Sequence, residues 1–173
     1  MEAYEAIAAK LDVREFVQRR VPGETKRKIL EAARATGSSM NTQHWRFVLV
    51  QDRQNLQRLA GDSTTGAWVA GADFAVVILT DPKVPGHTID AGRVLQDMEV
   101  AAWSFGVASG LYTGVRQSEL RRDLAVPPAL EISAVLGFGY ARKRMAGKKD
   151  RRPLEDLVCV ERYGDALGAG DLA

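Results

Sequence analysis

Residues 74–80 read Phe-Ala-Val-Val-Ile-Leu-Thr (FAVVILT), an apolar run of mostly β-branched residues without a polar break until its end. A strand with one wet face alternates apolar and polar side chains, so this run predicts a strand covered on both faces. Arg46–Gln51 (RFVLVQ) and Ile132–Phe138 (ISAVLGF) share the pattern, and Leu157–Val160 is a shorter fourth candidate.

Helical periodicity surrounds these runs. From Glu24 to Arg34, Ile29, Leu30 and Ala33 form one apolar stripe among basic residues, with Val21-Pro22-Gly23 marking the entry. From Thr88 to Phe105, Ala91, Val94, Leu95, Met98, Ala101, Ala102 and Phe105 recur at helical spacing. That stripe is broad, which predicts a central, largely buried helix. Shorter helices are expected at Glu2–Ala9, Gln54–Ala60 and Gln117–Leu124. Helices and strands interleave without a regular βαβ alternation, so the expected class is α+β or three-layer, not a doubly wound parallel sheet.

Composition narrows the function classes. The 173 residues suit one domain, expected over residues 1–164, followed by a small, polar and mobile tail over 165–173. Hydrophobic residues make up 46% and charged residues 27%, with a net charge of +2, which does not describe a dedicated nucleic-acid binder. The basic run around Arg142, Lys143, Lys149, Arg151 and Arg152 lacks interleaved aromatics and reads as a solvated loop. Cys159 is the only cysteine and there are two histidines, so no metal-ligand pattern exists. No secretory signal and no membrane-length apolar run is evident, and the expected compartment is the cytoplasm. Gly137-Phe138-Gly139 lacks the third glycine of a dinucleotide fingerprint, and no nucleophile elbow is present.

Four stretches carry chemistry. Ser38 to Phe47 (SSMNTQHWRF) groups hydroxyls and amides in one loop, which suits the edge of a polar heterocycle and equally suits a helix cap and turn. Lys10 and Arg14 stand four apart and, on a helix, would share a face able to grip phosphate; a solvated surface pair is the plainer alternative. The third is the basic run near the C-terminus. The fourth, Ser109 to Val115 (SGLYTGV), has glycines that either let backbone N–H groups approach a flat ligand or simply make a C-cap and turn.

Taken in order, the stretches are more specific than any one of them. KLDVREF at Lys10–Phe16, SSMNTQHW at Ser38–Trp45, Asp90-Ala91-Gly92 opening the long helix, and Lys149-Asp150-Arg151-Arg152-Pro153-Leu154-Glu155 run on to Glu161-Arg162-Tyr163-Gly164. From Lys10 to about Gly164 the chain resembles the nitroreductase family.

The resemblance implies a three-layer α/β/α arrangement with a mainly antiparallel central sheet, and a homodimer with FMN at each subunit interface. It implies that Lys10, Arg14, Lys149 and Arg151 hold the FMN phosphate. Ser38, Ser39 and Asn41 would come from the other subunit to the ring and ribityl chain. Tyr112, Thr113 and Gly114 would lie against the ring, with the Thr113 backbone N–H directed at N5. The implied activity is an FMN-dependent oxidoreductase that takes hydride from NADH or NADPH. It would reduce a small-molecule oxidant such as a nitroaromatic or quinone by a ping-pong mechanism, with the chemistry on the flavin and no catalytic side chain. Rivals are another flavin reaction on the same fold, or an FMN-deficient, non-catalytic dimer acting as a stress or interaction protein.

The chain also departs from the family pattern. Leu11 and Asp12 stand where a second arginine and a serine are usual, and Asp12 is expected to turn away from phosphate and accept a ribityl hydroxyl. Gly37 and His44 replace prolines, and His44 reads as a satisfied or surface histidine rather than a catalytic one. The connections Asp52–Asp73 and Asp81–His87 are short, which predicts an open site.

Overall fold

The strand that anchors the sequence reading is the middle of the molecule. In the computed structural model, which describes residues 2–143, 149–168 and 170–172, every residue of Phe74–Thr80 is buried. The helices are α1 (Ala3–Ala9), α2 (Gly23–Ala35), α3 (Arg53–Gly61), α4 (His87–Ser104) and α5 (Gln117–Asp123). The strands are β1 (Phe16–Val17), β2 (Arg46–Val50), β3 (Phe74–Thr80), β4 (Ala108–Tyr112) and β5 (Glu131–Ala141). All five expected helices form within about two residues of their expected bounds.

The sheet is antiparallel throughout its named pairs. β3 lies between β2 and β5, with Val48 opposite Val77 and Phe74 opposite Phe138. The far edge of β5 is shared by β4 and, further along, by β1. Phe74 and Phe138 stack across the ladder at 4.8 Å between ring centroids, joining the two longest apolar runs. On one face α2 and α4 cover Val76, Ile78, Leu136 and Phe138 with Ile29, Val94 and Met98. On the other, α3, α5 and the 3-10 turn Ala67–Gly71 cover Val77, Leu79 and Val135 with Leu56, Leu59, Val69 and Leu120. This is the expected three-layer α+β arrangement.

Three readings are corrected. Ser109–Tyr112, expected to be a glycine turn, is most of β4. Gly110 faces Gly137 across the ladder, and the Trp68 ring fills the space that two side chains would otherwise take. A built Cβ on Gly110 would come within 2.9 Å of that ring and 2.5 Å of the Val13 carbonyl oxygen. The glycines therefore mark tight packing under a strand, not the end of one. Leu157–Val160 is not a strand: it follows a 3-10 turn at Leu154–Asp156, and only Cys159 makes a bridge, to Ala166. Leu157 is exposed. The long helix is buried along one side only, since Leu95 and Ala101 are half-buried and Phe105 is exposed. Residues 144–148, within the basic run, lie outside the described residues.

Candidate functional site

The site is built along the outer side of α4. Because side chains alternate along β4, Ala108, Gly110 and Tyr112 face the α3 layer, while Ser109 and Leu111 face α4. Tyr112 is consequently buried in the core, edge-on to Trp68 at 5.8 Å, with its hydroxyl donating to the Leu59 carbonyl. Burial, followed by the charge of Asp62, pushes its phenol well above the ordinary range. Its contribution to any ligand on the α4 side is through its backbone alone.

Two cavities meet on that side. One, of about 360 Å³, is lined by Lys10, Asp12, Glu99, Leu111, Lys149 and Arg151, among others. The second, of about 300 Å³ and mostly apolar, runs past Ala91, Gly92, Thr113 and Ser133. Leu95 lines both, so a charged cavity and a mostly apolar cavity lie side by side as the two ends of one candidate groove. Lys10, Lys149 and Arg151, from the two ends of the chain, thus lie at one corner. Arg14 is exposed and does not line this groove.

Segment 10–13 is laid along the outer edge of β4, with Asp12 bridging Ser109 and the Val13 N–H donating to the Ser109 carbonyl at 2.8 Å. That placement sets the charged corner. The Lys10 ammonium donates to Glu99 Oε2 at 2.8 Å and to Asp12 Oδ1 at 2.5 Å. Glu99 projects from α4, is 2% exposed, and accepts the Ser109 hydroxyl on its other oxygen at 2.9 Å. Asp12 is therefore turned onto the basic corner, where its Oδ1 accepts from the Lys10 ammonium. Lys149 Nζ donates to the Ile7 carbonyl and Arg151 to the Asp150 carbonyl, which leaves both with further N–H groups for an anion.

Ser38, Ser39 and Asn41 form a separate loop and do not line the groove of their own chain. Met40, Asn41 and Gln43 all have positive φ, at 49°, 56° and 47°. Three non-glycine residues in the left-handed region cost about 1 kcal/mol or more each, so the loop persists because its surroundings hold it. Asp90 is the main holder: its Oδ2 accepts the Ser39 N–H at 2.9 Å and lies 3.2 Å from His44 Nε2. Burial works to raise the Asp90 carboxyl, but the Ser39 N–H, His44 and Arg93 together outweigh it and hold it below the usual range. His44 is buried and satisfied, as expected, and its Nδ1 accepts the Asp81 N–H. Gly37 makes room for Arg93, whose guanidinium a Cβ there would meet at 2.6 Å.

Sequence reasoning missed Asp90 and Glu99 as site-building residues. A signal was present: both acids fall on the buried side of an otherwise apolar helix, where an unpaired charge would be costly.

A further cavity of about 500 Å³ is lined by Gln18, Arg19, Arg20, Asp52, Arg53 and Asp73, and it contains none of the expected site residues. Arg53 there is bonded to the Ala70 and Ala72 carbonyls, and Asp73 to Lys26 and the Val21 N–H. Among the described residues no His, Cys, Asp and Glu cluster could hold a metal ion, and no helix is long and apolar enough to cross a membrane.

The sequence profile of the nitroreductase family matches residues 7–84. A protein of Methanothermobacter thermautotrophicus, provisionally named an NADH dehydrogenase/NAD(P)H nitroreductase, is 30% identical over 149 residues, spanning 81% of this chain and 78% of its own. The chain belongs to the nitroreductase family. A protein of the same provisional name from Archaeoglobus fulgidus is 28% identical over 151 residues, 82% of this chain and 86% of its own. Among solved structures, a nitroreductase (so named provisionally) of Desulfovibrio desulfuricans in complex with FMN is 25% identical. It superposes with a TM-score of 0.84, covering 94% of this chain and 98% of its own. An FMN-dependent nitroreductase of Clostridium difficile shares the fold at a TM-score of 0.85 and 22% identity, covering 91% and 98% of the two chains.

Proposed function

We propose that this nitroreductase-family protein is an FMN-dependent oxidoreductase that takes hydride from NADH or NADPH and passes it to a small oxidant of the nitroaromatic or quinone class. The observation that carries the reading is the charged cavity beside the mostly apolar one, with Leu95 in the lining of both. The donor set fits the cofactor: Lys149 and Arg151 offer N–H groups to a phosphate, and the apolar wall of Ala91, Gly92 and Leu95 suits a flat ring. The relatives' printed names, and the FMN held by the Desulfovibrio protein, support the same assignment.

Lys10, Lys149 and Arg151 would hold the phosphate, and the backbone of Tyr112, Thr113 and Gly114 would flank the ring. Bound FMN supplies the ability to accept a hydride and return it. The chain contributes position: the charged corner fixes one end, and the sheet-backed wall fixes the other. Donor and oxidant would use the same open side of the groove in turn, which gives ping-pong kinetics. The chemistry is assigned to the flavin, and no side chain is assigned as an acid or base.

Two copies are expected to complete each site. The loop carrying Ser38, Ser39 and Asn41 stands apart from its own chain's groove, so a second copy would bring it there. An apolar groove between α1, α2 and α4, lined by Ile7, Ala32, Ala35, Val100 and Ala101, together with exposed Tyr4 and Ile89, gives a second copy apolar surface to bury.

The test is the visible spectrum of the purified protein incubated with FMN, before and after anaerobic NADH or NADPH. A protein-bound flavin band that bleaches on addition of the nicotinamide is expected. A protein that retains no flavin would overturn the reading in favour of an FMN-deficient dimer.

A further inference from the structure

Lys10 is held by two carboxylates of different standing. Glu99 is 2% exposed and tied to Ser109, so it is a fixed part of the interior. Asp12 has a side chain 51% exposed and lies in the cavity lining beside Lys149 and Arg151. Summed over Lys10, Lys149, Arg151, Glu99 and Asp12, the corner carries three positive and two negative charges, a net of +1. A flavin phosphate, with a charge near −2, would meet a lysine whose outward side already has an anion on it.

We propose that Asp12 is a built-in competitor for the flavin phosphate at the Lys10 ammonium, so that this residue sets how strongly the site prefers FMN to riboflavin. The inference rests on the reading of the groove as an FMN site. Glu99 makes the competition one-sided: its buried carboxylate holds the Lys10 ammonium in place, so the exposed Asp12 is the group that yields. Two of the three Lys10 N–H groups are taken, so a phosphate arriving on Lys10 shares it with the Asp12 carboxylate or displaces it, and part of its attraction to the corner is offset by that like charge. Riboflavin has no phosphate and leaves the Lys10–Asp12 pair intact.

Asp12→Ser and Asp12→Asn remove the charge at an exposed position while leaving the Val13–Ser109 backbone bond in place. The apoprotein of each, and of the unaltered chain, is titrated with FMN and separately with riboflavin, following flavin fluorescence. FMN is expected to bind about tenfold more tightly in both variants, the scale of one like charge removed beside a partly exposed anion site, with riboflavin affinity unchanged. A parallel change for both flavins would mean that Asp12 acts only on the shape of the corner and would overturn the proposal. Weaker FMN binding in both variants would overturn it in favour of a ribityl contact. An unaltered chain that binds neither flavin would overturn the FMN reading itself, and this inference with it.

Discussion

The Asp90 carboxylate, on the first turn of α4, accepts the backbone N–H of Ser39 at 2.9 Å and so fastens a loop 51 residues earlier in the chain. The same oxygen faces His44, and the other faces the Arg93 guanidinium at 3.5 Å. One buried acid thus holds the loop that carries Ser38, Ser39 and Asn41 in its left-handed backbone.

Asp90→Asn is expected to lower stability by about 1–3 kcal/mol, the scale of weakening a charged acceptor for buried donors. Asp90 titrates lower in the folded chain than its ordinary value near 3.9, despite burial, so the unfolded state binds more protons in that range. Its stabilisation is complete above the ordinary value and is lost as pH falls through the depressed one. Thermal midpoints of the two proteins, measured from pH 7 to pH 3, should differ most near neutrality and converge below about pH 4. A constant gap across that range would contradict the assignment.

Gly110→Ala tests the link between the sheet and the charged corner. The added methyl would meet the Val13 carbonyl oxygen and the Trp68 ring, and neither can move without shifting segment 10–13 or the packing under β4. Overpacking of this kind costs about 1–3 kcal/mol. FMN affinity should fall more than riboflavin affinity, because Lys10 and Asp12 ride on the displaced segment. Equal losses for the two flavins would place the damage at the ring end instead.

Lys26→Met probes a buried ion pair on α2 that does not line the groove. The Lys26 ammonium lies 2.8 Å from Asp73, both are buried, and Asp73 also accepts the Val21 N–H. Removing the lysine leaves a buried carboxylate with one weak partner, a loss of about 3–5 kcal/mol. Denaturant unfolding should report it, and Lys26→Met with Asp73→Asn should recover part of the loss. No recovery in the double variant would show that the damage comes from packing, for instance against Phe74, whose ring lies 4.8 Å from the ammonium.

The sequence by itself determined the elements whose signal is local. FAVVILT reads as a strand buried on both faces because no residue from 74 to 79 could tolerate water, and the 87–104 helix reads from its spacing. The ordered motifs from Lys10 to Gly164 determined the family, since each needs only its neighbours in the chain to be recognised. What tertiary structure decided is whatever depends on a partner far along the chain. Ser109–Tyr112 became a strand because β5 supplies a ladder and Trp68 fills the space over two glycines. Leu157–Val160, though apolar, remained outside the sheet: it follows a 3-10 turn, and Leu157 is exposed. Tyr112 went to the core and Ser109 to α4 because a strand alternates its faces. The partnership of Lys10 with Glu99 and Asp12 joins residues up to 89 positions apart, and only the packing of α4 against β4 brings them together.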